Sequence, residues 1–125
     1  MIGYITDYIG SRLRMLEYLF ANKNVEKILI YLVLHEKANA SELSHSFNSA
    51  LDPIQKTLKK LEEGGLIVSF LEGRTRVFVW NPRYPFLSEI QGLARKTFEF
   101  LPEHMQLAYY QPKKRKRPRK TGKPL

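Results

Sequence analysis

Between Ala38 and Asn81 the chain strings together two short helical segments and two strand-like runs, each bounded by its own stop or cap signal. Asn39-Ala40-Ser41-Glu42 reads as a capping box, in which Asn39 accepts from the backbone of the first turn and Glu42 reaches back. Asp52-Pro53-Ile54-Gln55 reads as a second box, with proline at the first helical position, where its missing N–H costs nothing. Gly64-Gly65 stops that helix, because a residue without Cβ enters the left-handed cap freely. Leu66 to Leu71 and Thr75 to Trp80 then flank Glu72-Gly73-Arg74 as the arms of a hairpin.

Helix, turn, lysine-bearing helix and hairpin, in that order, predict a mainly α fold with a small β-hairpin: a winged helix-turn-helix. Extra helices are expected at both ends. Ile5, Tyr8, Ile9, Leu13, Leu16, Leu19 and Phe20 recur at helical spacing and predict an N-terminal helix from about Thr6 to Phe20. Asn22-Lys23-Asn24 interrupts it and offers a cap for the next helix. There Val25, Ile28, Leu29, Leu32 and Val33 form one apolar stripe. Leu43 and Phe47 face inward from the next helix, and Ile54, Leu58 and Leu61 from the lysine-bearing one. Asn81-Pro82 ends the wing, and Pro85 opens a last helix running to about Leu101. The expected organisation is residues 1–21 as N-terminal helix, 22–84 as winged domain, 85–110 as a dimerisation helix and 111–125 as a basic tail.

Charge separates the tail from the rest. The formal net charge is +9, yet residues 111–125 hold eight Lys/Arg and no acid, so 13 basic and 12 acidic residues leave +1 on residues 1–110. The folded part must attract an anion through local clustering, with the tail as a separate electrostatic device. Lys113 to Lys120, seven basic residues and one proline, offers no apolar side chains to offset its ordering entropy, so the tail is expected to be disordered when free. Cysteine is absent, which excludes disulfides, thiolate metal sites and cysteine nucleophiles. The longest apolar run, Ile28 to Leu34, is too short to span a bilayer. Met1-Ile2-Gly3-Tyr4 shows no secretory or myristoylation signal, so a cytoplasmic location and no membrane partner are expected.

With Ile54, Leu58 and Leu61 inward, Gln55, Lys56, Lys59 and Lys60 point outward or to the flanks of the helix at about 52–63. Gln55 suits a bidentate contact to adenine, and Lys56 suits guanine or a phosphate. Lys59 and Lys60, further along, suit the backbone, and Ser49 in the turn suits a phosphate near the helix start. Arg74 and Arg76 are expected on one side of the strand leaving the wing tip (wing 69–77), for phosphate contact or a narrow minor groove. Lys113, Lys114, Arg115, Lys116 and Arg117 begin the run to Lys120 that would neutralise further phosphates. Phe86, Ile90, Leu93 and Phe100 give the last helix more apolar surface than one contact needs, which points to a second subunit. Packing on the N-terminal helix of the same chain is the alternative.

Catalytic chemistry finds no support. Glu62 and Glu63 are adjacent on a helix and diverge; Glu42-x-x-His45 is a single copy of a motif that di-iron sites need twice. His35 near a helix C-terminus is explained by the helix dipole. His104 beside Glu103 has no third ligand in view. Neither a cofactor nor a metal is expected.

Asp52-Pro-Ile-Gln-Lys-Thr-Leu-Lys-Lys-Leu-Glu-Glu-Gly-Gly-Leu-Ile-Val, then Gly73-Arg-Thr-Arg-Val and Asn81-Pro-Arg-Tyr-Pro-Phe, resembles bacterial ArsR-like winged helix transcriptional regulators. The resemblance runs from about Leu16 to Leu101. It implies a homodimer held by terminal helices that binds an operator in double-stranded DNA through the second helix and the wing. Metal-sensing members use cysteines on the helix corresponding to residues 51–63, or His/Asp sites on terminal helices. This chain has neither pattern, so metal sensing does not carry over and the effector is unknown. Two other readings compete with sequence-specific regulation: a winged-helix protein-interaction module, and nonspecific DNA or RNA binding driven by the tail.

Overall fold

The computed structural model describes residues 22–110. The expected helix over Thr6–Phe20 and the tail from Gln111 lie outside the described residues. Asn22 caps helix α1 (Lys23–His35), its side chain accepting from the Asn24 N–H at 2.7 Å. The predicted stripe is there, but Ile30 and Tyr31 are buried as well, so α1 is covered on more than one side and forms the centre of the fold. It ends at Glu36, in the left-handed region at φ 72°.

The following three residues, Lys37–Asn39, form strand β1, which the sequence reading did not anticipate. Both halves of the Asn39/Glu42 capping box are present at the start of helix α2 (Ala40–Phe47), at 2.9 and 3.1 Å. Helix α3 (Leu51–Glu63) corrects the second box. Its N-cap is Ala50, without a side-chain cap, and Asp52 and Pro53 sit inside the first turn. Proline is tolerated there because none of those first N–H groups has an intrahelical partner. The Asp52 carboxylate pairs with Lys56 one turn on, at 3.1 Å. At the other end only Gly65, at φ 85°, takes the left-handed conformation; Gly64 stays right-handed. The N–H groups of Gly65 and Leu66 close onto the carbonyls of Glu62 and Leu61, a Schellman cap.

Strands β2 (Ile67–Glu72) and β3 (Thr75–Trp80) are antiparallel, with Ile67 opposite Trp80 and Glu72 opposite Thr75. Gly73, at φ 63°, and Arg74 make the two-residue turn between them. The expected two-stranded hairpin is one side of a three-stranded sheet in the order β1-β3-β2, because Lys37–Asn39 pairs with Val77–Val79. Ile67 and Phe78 press one sheet face into a core shared with Ile28, Leu32, Leu43, Ile54 and Leu58.

Helix α4 (Leu87–Phe100) begins two residues after Pro85, since turns closed by Tyr84 N–H on Asn81 and Leu87 N–H on Tyr84 come first. It packs on α1 through Ala94 and Thr97. A further helix not separated in the sequence reading, α5 (Glu103–Tyr110), follows Pro102. The Gln106 side chain turns back and donates to the carbonyls of Phe98 and Leu101, satisfying acceptors at the end of α4. The described residues thus form five helices and a small antiparallel sheet, and none of the helices is long and apolar enough to cross a membrane.

Tyr110 anchors α5. It is 4% exposed, meets the rings of Phe47 and Phe98 edge-on, and its carbonyl accepts from His35 Nε2 at 2.8 Å. His35 therefore has a specific partner beyond the helix dipole. Burial, then the charge of Glu26, pushes the Tyr110 phenol well above its usual range. Burial raises Tyr31 too, followed by the charge of Glu42, against a lowering hydrogen bond with Ser46. A raised folded-state pKa means stability fully present below the ordinary tyrosine range and lost as pH climbs beyond about 10. Melting temperature should therefore hold to about pH 10 and fall above it. Tyr110→Phe should remove part of that fall, and an alkaline profile unchanged by the substitution would contradict the assignment.

Candidate nucleic-acid interface

A helix of 13 residues presents a usable face only if its apolar positions are consistently on the other side. In α3 this holds past the first residue: Ile54, Thr57 and Leu58 are buried and Leu61 partly so, while Gln55, Lys56, Lys59 and Lys60 are exposed; Leu51, which opens the helix, is exposed as well. Thr57 satisfies its hydroxyl within the helix by donating to the Pro53 carbonyl at 2.9 Å. At about 20 Å long, α3 matches an element that lies in a groove about 12 Å wide. Lys56 is held by Asp52, an exposed i,i+4 pair of the kind worth about 0.3–0.5 kcal/mol, so a phosphate or base could displace the carboxylate at little cost.

Ser49 lies in the Asn48–Ala50 turn leading into α3 and is half-exposed. Its backbone is tied to the end of α2: the N–H donates to the Ser44 carbonyl at 3.0 Å, and the carbonyl accepts from Ser44 Oγ at 2.5 Å. That anchoring fixes the turn.

The two hairpin arginines are not equivalent. Arg74 is the second residue of the turn rather than a strand residue, so the alternation that placed both on one side does not apply. Arg76 is in β3, and its Nη1 donates to Ser69 Oγ at 3.0 Å, while Ser69 Oγ donates to Glu62 Oε2 at 2.6 Å. This chain of bonds joins the hairpin to the last turn of α3. No spacing rule in the sequence exposes it, because Glu62, Ser69 and Arg76 meet only after the hairpin has folded back. On the opposite sheet face Lys37 Nζ meets Glu72 Oε2 at 2.9 Å, which directs the acid of the wing away from α3.

Asn81 fixes the base of the β2–β3 hairpin. Its N–H donates to the Leu66 carbonyl, its Nδ2 to the Gly65 carbonyl at 2.8 Å, and its Oδ1 accepts from the Arg83 N–H. The Asn-Pro-Arg sequence thus couples the C-terminal cap of α3 to the exit of β3.

Several apolar side chains at α4 stay exposed. Phe86, at the N-cap and edge-on to Tyr84, is 60% exposed, Leu93 37% and Phe100 40%. Ile90 differs: it is half-buried and lines a cleft with Val25, Leu29, Leu61, Leu66 and Tyr84, so part of it is already used by its own chain. Lys113, Lys114, Arg115, Lys116 and Arg117 lie outside the described residues. Glu42 closes the α2 capping box, which gives the Glu42-x-x-His45 carboxylate a structural partner. Among the described residues no group of three or more His, Cys, Asp or Glu side chains is placed to hold a metal ion. No family model, curated protein or solved structure matches the chain.

Proposed function

We propose that this chain is a winged helix-turn-helix regulator of transcription, ArsR-like and cytoplasmic, that binds double-stranded DNA sequence-specifically as a homodimer. The observation that carries the reading is the segregation on α3: Ile54, Thr57 and Leu58 buried on one side, Gln55, Lys56 and Lys59 exposed away from them, Lys60 exposed on the flank beside the Ile90 cleft, and an arginine-bearing hairpin tied to the helix end. In this reading α3 enters the major groove, Gln55 and Lys56 read bases, and Lys59, Lys60, Ser49 and the wing arginines set register on phosphates. No catalytic role or cofactor is part of it.

Gln55→Ala or Lys56→Ala should weaken binding to a selected operator by about 1–3 kcal/mol and random duplex far less. Arg74→Ala should weaken both alike, because a phosphate contact carries no base information. Titrations in which the Gln55 and Lys56 variants lose specific and random affinity equally would refute the recognition-helix assignment.

The exposed Phe86, Leu93 and Phe100 support two-fold pairing through α4, the commonest way to bury a self-complementary surface. Half-sites of an inverted repeat should then be centred about 10 bp apart or a multiple of that. A stable monomer in micromolar sedimentation, or a footprint on one asymmetric half-site, would rule this out.

A further inference from the structure

Cross-strand partners share a sheet face, so the register of the hairpin sorts its side chains. Ile67 with Trp80, Ser69 with Phe78, and Leu71 with Arg76 lie on one face; Val68, Phe70, Glu72 and their partners lie on the other. The first face is the one that α3 meets, since Ile67 and Phe78 enter the core and Ser69 bonds Glu62. Leu71 is two positions further towards the tip. There, at 58% exposure, it is the most exposed large apolar side chain of the sheet among the described residues. β1 ends opposite Val77, so no third strand supports this part of the hairpin.

The surroundings of Leu71 are cationic. Arg76 is directly opposite and reaches the Glu62 carboxylate only through Ser69 Oγ, and Arg74 is in the turn; neither guanidinium makes a direct ion pair among the described residues. The one acid of the tip, Glu72, is on the far face and bound to Lys37. A bare leucine at a hairpin tip that carries two arginines is poorly suited to a protein pocket, where the guanidinium groups would need carboxylates. It is well suited to a polyanion with an apolar interior. Minor-groove proteins use this combination, arginines for the negative groove and an aliphatic side chain to part a base step.

We infer that Leu71 is an apolar wedge that enters the minor groove beside the α3 contact and unstacks a base step there, steered by Arg74 and Arg76. The inference rests on the DNA-binding reading above and adds to it a deformation of the duplex. Specificity would then extend to a position that α3 does not touch, favouring a pyrimidine–purine step, which unstacks most easily. Arg76 is a positioning residue in this arrangement, because its bond to Ser69 and through it to Glu62 sets the angle of the hairpin against α3.

The test uses the full chain and 40-bp duplexes recovered from a random pool by repeated rounds of binding to it. 2-Aminopurine is placed in turn at each adenine flanking the protected major-groove segment. The wild type should raise the fluorescence of one position per half-site severalfold. Leu71→Ala should abolish that rise and lower affinity for the selected duplex roughly 10-fold, while Leu71→Met preserves both. Gln55→Ala should lower affinity yet leave the rise intact in the saturated complex. A wild-type complex with no bright position, or a Leu71→Ala complex as bright as wild type, overturns the wedge while leaving DNA binding in place. Failure to recover any duplex overturns the DNA reading itself and the wedge with it.

Discussion

Deleting residues 112–125 should flatten the dependence of log K on log salt by up to about 7 units, since each engaged phosphate contributes about −0.9 to the slope. Seven of the eight Lys/Arg beyond Tyr110 lie in Lys113–Lys120, and together they exceed the cationic side chains that α3 and the wing present. Nonspecific affinity should fall steeply, whereas the ranking among operator variants should survive, because the proposed base contacts are on α3. Fluorescence titration from 50 to 300 mM salt on both forms measures the difference. An unchanged slope would mean that the tail does not serve DNA and would direct its charge to another acidic partner. Equal affinity of the full chain for scrambled DNA and RNA would instead favour nonspecific nucleic-acid binding.

Leu58→Ala should cost about 2–5 kcal/mol of unfolding free energy in urea, the range for emptying a closed core site. Leu58 is 1% exposed and lies on α3 among residues of the main core. Because the same helix carries the proposed base contacts, loss of fold and loss of operator binding should coincide. Lys59→Ala, one residue along and exposed, should leave stability within about 0.5 kcal/mol and lower only DNA affinity. A Lys59→Ala variant as unstable as Leu58→Ala would contradict the division of α3 into a packed side and a solvent side.

Much of this division is visible without coordinates. Inward Ile54 and Leu58 follow from helical spacing, and the Asn39/Glu42 box and the Gly65 cap are local chemistry that the backbone satisfies within a few residues. The hairpin is equally local, because Gly73 can supply the positive φ its two-residue turn needs. Asp52-Pro53 misled for a related reason: both residues suit any place in a first helical turn, so they mark a start only to within two residues.

β1 and α5 were not legible because their states depend on distant partners. Lys37-Ala38-Asn39 has one apolar residue and no periodicity; it is a strand because β3 offers it an edge and Ala38 a place under Phe78. α5 is short and follows Pro102, and its end is held by Tyr110 against Phe47, Phe98 and His35, residues far away in the sequence.

The sequence alone therefore determined helices α1 to α4 to within a few residues, the Asn39/Glu42 and Gly65 caps, the hairpin turn, the cationic side of α3 and the separation of a basic tail from a near-neutral body. These are decided by spacing and by contacts within a turn or two. Only the tertiary structure decided which groups meet: the third strand, the Glu62–Ser69–Arg76 brace, the inequivalence of Arg74 and Arg76, and the bare position of Leu71. Those depend on long-range closure, where packing rather than local propensity selects the partner, and periodicity carries no record of that choice.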